Sequence, residues 1–319
     1  MRGGYCGFGR EENHTVTFRM TDEQKEIREQ ILRICARFDD DYWLERDRNG
    51  GFPYELHRAM ADGGWLGIAM PEAVGGAGLG ITEATIMMQA IAESGAGASG
   101  ASAIHMNIFG LNPVVKFGTE EQRARMLPPL IAGDEKACFA VTEPTTGLDT
   151  TKLKTMAMRQ GGRYVVHGQK VWISTAQVAH KMLLLARTTR IEDLTDPTEG
   201  LSLFYTDLNR NFVDVREIEK MGRKAVDSNE VFIDGLPIPA EDLIGEEGKG
   251  FRQILHGLNP ERILVAGECI GIARNALVRA AKYARERVVF GRPVGQNQGV
   301  QHPLAQAWAR VEAANLMVM

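Results

Sequence analysis

Apolar residues first recur at helical spacing just after Thr21 and Gln24, which form a capping box: Ile27, Ile31, Ile34, Cys35 and Phe38 follow. This pattern predicts an amphipathic helix. Further helical stretches are expected over residues 53–61, 82–93, 102–117 and 119–127, the last opened by a second box, Thr119 with Gln122. Residues 20–134 therefore read as an all-α domain. From Lys136 the period changes to short β-rich runs at 138–142, 164–167, 171–174, 182–189, 201–206 and 230–233, separated by Gly, Asp and Asn. Runs of that length suggest a barrel or sandwich over residues 135–244. After Gly250 a long helix is expected over 260–288, apolar on more than one face, broken by Gly291, Arg292 and Pro293. A last helix from about Gln301 carries Leu304, Trp308, Val311 and Leu316 on one stripe and reaches Met319 without a cap. Residues 245–319 thus read as part of a helical bundle cut off mid-element, its open faces requiring further helices or a partner subunit. The fold class is α+β.

The opening stretch, residues 1–19, mixes Arg2, Arg10 and Arg19 with Glu11 and Glu12 and has no apolar centre. It suits neither a secretory signal nor an acid-poor transit peptide, and a disordered leader is expected. With 44% hydrophobic and 24% charged residues and a net charge of -4, the 319-residue chain has the balance of a globular protein and no basic footprint for nucleic acid. Its longest apolar runs fall far short of a membrane span. Cys6, Cys35, Cys138 and Cys269 are too scattered for a disulfide framework or a zinc site, and a reducing cytoplasm fits. No histidine stands at metal-ligand spacing, and His57 and His105 read as structural histidines on helices.

Gly95, Gly97 and Gly100 spell a GxGxxG pattern, but after a helix, whereas a dinucleotide fingerprint follows a strand. It is read as accidental. The stretch Phe139-Ala-Val141-Thr142-Glu-Pro-Thr-Thr-Gly147-Leu148-Asp149 runs from a strand into a turn. Thirty residues on, Lys170-Val-Trp172-Ile173-Ser174-Thr places an indole beside hydroxyl groups, which suits a flat, polar-edged ring, although a core tryptophan would look the same.

These paired strands resemble the flavin-binding strands of the acyl-CoA dehydrogenase family. Pro71-Glu72 before Gly75–Gly78, Lys220-Met221-Gly222, Glu246-Glu-Gly-Lys-Gly-Phe251 and Glu286-Arg287 through Phe290-Gly-Arg292 fall in the family's order, so the resemblance spans residues 20–319. It implies FAD held against Phe139, Val141, Thr142 and Gly147 on one strand and turn and Trp172, Ile173 and Ser174 on the other. It also implies that Arg287, with Phe290 and Gln298 on the same surface, reaches a flavin pyrophosphate in a neighbouring subunit, which makes a homo-dimer or homo-tetramer. The plainer alternative for Arg287 is a solvated charge near a helix C-terminus. The implied reaction is α,β-dehydrogenation of an acyl-CoA thioester to the 2-enoyl-CoA, in fatty-acid β-oxidation, with electron-transfer flavoprotein as acceptor.

Such a reaction needs one carboxylate in a dry cleft. The resemblance assigns the catalytic base to Glu261, with Asn259 and Arg262 beside the acyl-CoA. From the residues alone, Asn259 is an N-cap and Pro260 an N1 residue, so Glu261 could simply favour the positive end of a helix. There are departures: Leu148 stands where the family has Ser, Thr145 and Thr146 replace smaller residues, and Val226 replaces a Ser before Asp227. A hydroxyl contact to cofactor or pantetheine is lost. Rival expectations are an acyl-CoA oxidase or flavin monooxygenase on the same fold, or a fragment that does not hold flavin.

Overall fold

The computed structural model describes residues 19–319; nearly all of the expected leader, Cys6 included, lies outside the described residues. Helices come first: α1 (Asp22–Cys35), α2 (Asp40–Asn49), α3 (Tyr54–Asp62), α4 (Ile81–Ile91), α5 (Gly97–Phe109), α6 (Asn112–Phe117), α7 (Glu120–Met126) and α8 (Pro128–Ile131). Both capping boxes form. The Gln24 and Gln122 N–H groups each donate to a threonine Oγ1 at 3.2 Å, and their side chains accept from the Thr21 and Thr119 N–H groups. α2 was not expected, because only Trp43 of its ten residues is buried and its pattern is nearly all polar. Asp39 caps it, accepting from Tyr42 N–H at 3.0 Å. The stretch read as one helix over 102–117 is two, since α5 starts early at Gly97, ends before Gly110, and Pro113 restarts the chain as α6. Gly95 (φ 110°) and Gly97 (φ 55°) supply the positive φ of the bend between α4 and α5.

The strands are β1 (Ala137–Ala140), β2 (Met156–Gln160), β3 (Arg163–Ser174), β4 (Lys181–Arg187), β5 (Leu201–Asp207), β6 (Val213–Glu217), β7 (Ser228–Pro239) and β8 (Leu243–Ile244). They form one sheet in the order β6-β7-β3-β2-β4-β5-β8, with β1 added parallel to β4. The runs at 164–167 and 171–174 are a single strand, β3, whose register against β7 shifts between Lys170 and Ile173. β2 and β6 escaped the reading because most of their residues are exposed or half-buried. β4 is buried on both faces, which explains its unbroken apolar run. Leu183 and Leu185 join the core shared with the helical domain, while Met182, Leu184 and Ala186 join a second core with Phe204, Val231 and Ile238.

The last part holds α9 (Gly250–Glu286), a ribbon of β9 (Val288–Val289) and β10 (Arg292–Pro293), and α10 (Gln298–Val318). α9 overturns the expected start at Asn259–Pro260: it begins ten residues earlier, and Pro260 lies buried in its interior. An interior proline has no N–H for the carbonyl four residues back. Here that carbonyl, His256 O, accepts instead from Asn112 Nδ2 at 2.6 Å, so the neighbouring helix α6 supplies the missing donor. Asn112→Ala is therefore expected to cost about 1 kcal/mol in urea unfolding. The same change in a Pro260→Ala background should cost less, because the alanine N–H would restore the helix's own donor; equal costs would sink the explanation.

α9 packs directly on α4. A methyl group at Gly267 would come 2.6 Å from Thr85 Cγ2, and one at Gly271 would collide with the Gln89 carbonyl oxygen. By contrast α10 buries no residue, and Trp308, Leu316 and Met317 are exposed together with Ile263 and Val278 of α9. No described helix is long and apolar enough to cross a membrane.

Candidate active site

Sheet, α5 and α9 enclose a cleft of about 630 Å³. One wall comes from the ends of β1 and β3: Phe139, Val141, Thr142, Gly147 and Leu148 on the first strand and its turn, and Trp172, Ile173, Ser174 and Thr175 on the second. The register shift in β3 joins the two. Val171 N–H leaves the β7 ladder and donates to Thr142 O at 2.9 Å. Trp172, within the shift, takes φ 62°, a left-handed value uncommon outside glycine, and its side chain is 61% exposed. The core-tryptophan alternative therefore fails, since the strand is bent to present this indole to the cleft. Leu148 is fully exposed at the mouth. Val226, by contrast, packs against Phe52 and Ala103 in a small core, so its departure from the family pattern does not face the cleft.

Behind this wall lies a buried ion pair. Lys170 Nζ donates to Glu143 Oε1 at 3.0 Å and to the carbonyls of Val141 at 3.0 Å and Leu185 at 2.8 Å. Glu143 also accepts from Lys154 N–H at 2.7 Å and Thr155 N–H at 2.9 Å. Burial opposes its charge, but the Lys170 ammonium and these N–H groups hold its carboxyl below the usual range. The pair thus pins the strand that carries Val141 and Thr142 to β3 and β4.

The opposite wall is helical. α9 contributes Leu255, Leu258, Glu261, Arg262, Val265, Glu268, Cys269 and Ile272, and α5 contributes Ser102, His105, Met106 and Phe109. Glu261 sits in the second quarter of α9, far from its N-terminus, so the helix-end alternative for it is excluded. Burial raises its pKa, opposed by His105 and Arg262 and reinforced by the Glu268 carboxylate. Arg262 Nη1 donates to Asn259 Oδ1 at 2.7 Å, and Asn259 itself is not on the cleft wall. Arg287, Phe290 and Gln298 are not part of this site either. Arg287 caps the C-terminus of α9, which lies about 39 Å along the axis from Glu261, and Phe290 and Gln298 are exposed beyond it.

Arg223, His105 and Glu268 are cleft residues that the sequence reading missed. Arg223 (φ 57°) reaches in from the loop after Lys220-Met221-Gly222 and donates to Ser102 Oγ at 2.9 Å and Ser174 Oγ at 3.2 Å. No periodicity marks such a loop residue. His105, expected to be structural, instead has Nδ1 2.8 Å from Glu268 Oε1 inside the cleft. Glu268 did carry a signal, seven residues after Glu261 on the same helix face.

Profiles of three domains match in order: the acyl-CoA dehydrogenase N-terminal domain over residues 21–134, middle domain over 138–236 and C-terminal domain over 248–319. An acyl-CoA dehydrogenase of Bacillus subtilis is 34% identical over 304 residues, covering 94% of this chain and 78% of that protein. The butyryl-CoA dehydrogenase structure from Megasphaera elsdenii superimposes with a TM-score of 0.89 at 28% identity, over 95% of this chain and 79% of the other. A solved structure described as the electron transferring flavoprotein of Acidaminococcus fermentans gives the same TM-score, identity and coverage. With its helical, sheet and helical parts in that order and its cleft between them, the chain belongs to the acyl-CoA dehydrogenase family of flavin-dependent oxidoreductases acting on CH–CH groups.

Proposed function

We propose that this chain binds FAD and dehydrogenates an acyl-CoA thioester across its α and β carbons, giving the 2-enoyl-CoA. The observation that carries this reading is a half-buried carboxylate, Glu261, on the cleft wall that faces the Val141–Thr142 and Trp172–Ser174 strand ends. Those residues fit a flavin ring. An indole bent into the cleft offers a flat apolar face, and the hydroxyls of Thr142, Ser174 and Thr175 line the same pocket for polar ring edges. Phe139, Ile173 and Gly147 complete that wall. Bound flavin supplies the acceptor for the β-hydrogen as hydride. Glu261 takes the α-proton, and its burial makes it a stronger base than an exposed carboxylate. Leu148 at the mouth and Arg262, oriented by Asn259, border the path of the thioester.

Arg287, Phe290 and Gln298 are too far along α9 to serve this cleft in their own chain. That separation supports a role for them at the cofactor of a second copy, within a homo-dimer or homo-tetramer, where a guanidinium suits pyrophosphate. The exposed apolar residues of α9 and α10 support the same assembly. We further infer electron-transfer flavoprotein as the electron acceptor and a place in cytoplasmic β-oxidation; the free thiols of Cys35, Cys138 and Cys269 fit a reducing compartment. The proposed domain division is 20–134, 135–244 and 245–319.

The test is the visible spectrum of the purified protein before and after anaerobic addition of a panel of acyl-CoA thioesters. Flavin that bleaches with one of them and reoxidises slowly in air supports the dehydrogenase. Fast reoxidation would point to an oxidase, and a colourless protein that takes up no FAD would overturn the reading.

A further inference from the structure

Apart from Ser102, Glu261 and Arg262, the cleft wall on α5 and α9 is apolar at Met106, Phe109, Leu255, Leu258, Val265 and Ile272, yet it also holds a second polar group, the pair His105 and Glu268. His105 Nδ1 meets Glu268 Oε1 at 2.8 Å, with the two side chains 12% and 6% exposed. The imidazole edge also packs against Phe109, with ring centres 5.0 Å apart. A carboxylate only accepts, so Nδ1 carries the proton of this contact and Nε2 is the ring nitrogen left for a ligand. No described residue hydrogen-bonds that Nε2, and it is not sealed off as the Nε2 of His57 is.

A saturated hydrocarbon chain in this cleft would press against Nε2 and leave a desolvated ring nitrogen unpaired. Leaving such a group unmade is costly, and a site built to hydrogen-bond a hydroxyl discriminates strongly against the analogue without it. Glu268 follows Glu261 by two helical turns, about 10 Å along α9. A group bound at His105 therefore lies several carbons from the carbon that Glu261 deprotonates.

We propose that the His105–Glu268 pair is a specificity subsite for a hydroxyl carried on the distal part of the acyl chain, the hydroxyl donating to His105 Nε2 while Glu268 fixes the ring's tautomer. His105 binds the substrate in this arrangement and Glu268 is a positioning residue. The inference rests on the reading of the cleft as an acyl-CoA site with Glu261 as base.

The test uses the flavin-loaded protein and acyl-CoA thioesters of equal chain length, one saturated, the others with a hydroxyl or a keto group stepped carbon by carbon towards the ω end. Dissociation constants are read from the flavin spectrum or by calorimetry, and kcat/KM separately. One hydroxyl position should bind and react at least about tenfold better than the saturated chain. His105→Leu should reverse that order, improving the saturated thioester while weakening the hydroxylated one, and Glu268→Gln should shrink the preference with Glu261 untouched. A wild-type preference for the saturated chain, an equal welcome for the keto analogue, or a His105→Leu protein weakened towards both thioesters alike would each overturn the subsite. If the hydroxyl preference appears in binding while no thioester is dehydrogenated, the subsite stands and the proposed reaction falls.

Discussion

Glu261→Gln should retain FAD and bind acyl-CoA thioesters while its anaerobic bleaching rate falls about 10³-fold, the range expected for losing a general base. Glutamine keeps the size of the side chain and removes only the basic oxygen. A variant that bleaches within tenfold of wild type would remove Glu261 from the reaction. The wild-type rate should fall on the acid side with a midpoint above the ordinary carboxylate value, because burial raises the Glu261 pKa and the base must be ionised to act. The stability effect has the opposite sign. With its pKa raised on folding, the native state holds more protons than the unfolded chain between the ordinary and the raised value, so Glu261 lowers stability as pH rises through that window. The glutamine variant should therefore lose this part of the pH dependence and unfold at the same or higher temperature at neutral pH. Falling activity with unchanged or improved stability separates a functional residue from a structural one.

Lys170→Met is the change with the largest expected effect on the fold. Its ammonium is wholly buried and satisfies three acceptors, so removal leaves the Glu143 carboxylate buried without its counter-charge and the carbonyls of Val141 and Leu185 without a donor. Breaking such a pair costs about 3–5 kcal/mol. Urea unfolding should show that loss, and FAD affinity should fall with it because Val141 and Thr142 lose their anchor. Adding Glu143→Gln should recover part of the stability: the amide oxygen still accepts a backbone N–H, and the carboxylate stranded by the loss of Lys170 is gone. A cost under about 1 kcal/mol for Lys170→Met would mean that the pair does not hold the strand end in place.

Much of the fold was legible because local signals and burial agree. The Thr21 and Thr119 boxes mark their helices, and the β4 run is apolar throughout because both of its faces are covered. Reading failed where tertiary partners overrode local rules. Asn259-Pro260 has the chemistry of a helix start, but a donor from α6, distant in sequence, lets the helix run through it. α2, β2 and β6 are mostly solvent-facing and so carry little periodicity. In the candidate site, residues on regular elements with a recognisable motif, Trp172 and Glu261 among them, converge on one cleft. Arg223 and His105 escaped because their significance comes from what they face, across a distance in sequence that no spacing rule reports.

The close approach of α9 to α4 also acts as an index. Gly267 and Gly271 are one turn apart, and each occupies a spot with no room for a methyl group. Sliding α9 by one turn would bring Ile263 or Asn275 into such a spot, so the long rod has a single depth at which it seats. Glu261 and Glu268 inherit that depth. The height of the proposed base above the sheet is therefore gauged by two hydrogen atoms on an adjoining face of the helix, and a substitution that never touches the cleft could still mistune the distance across it.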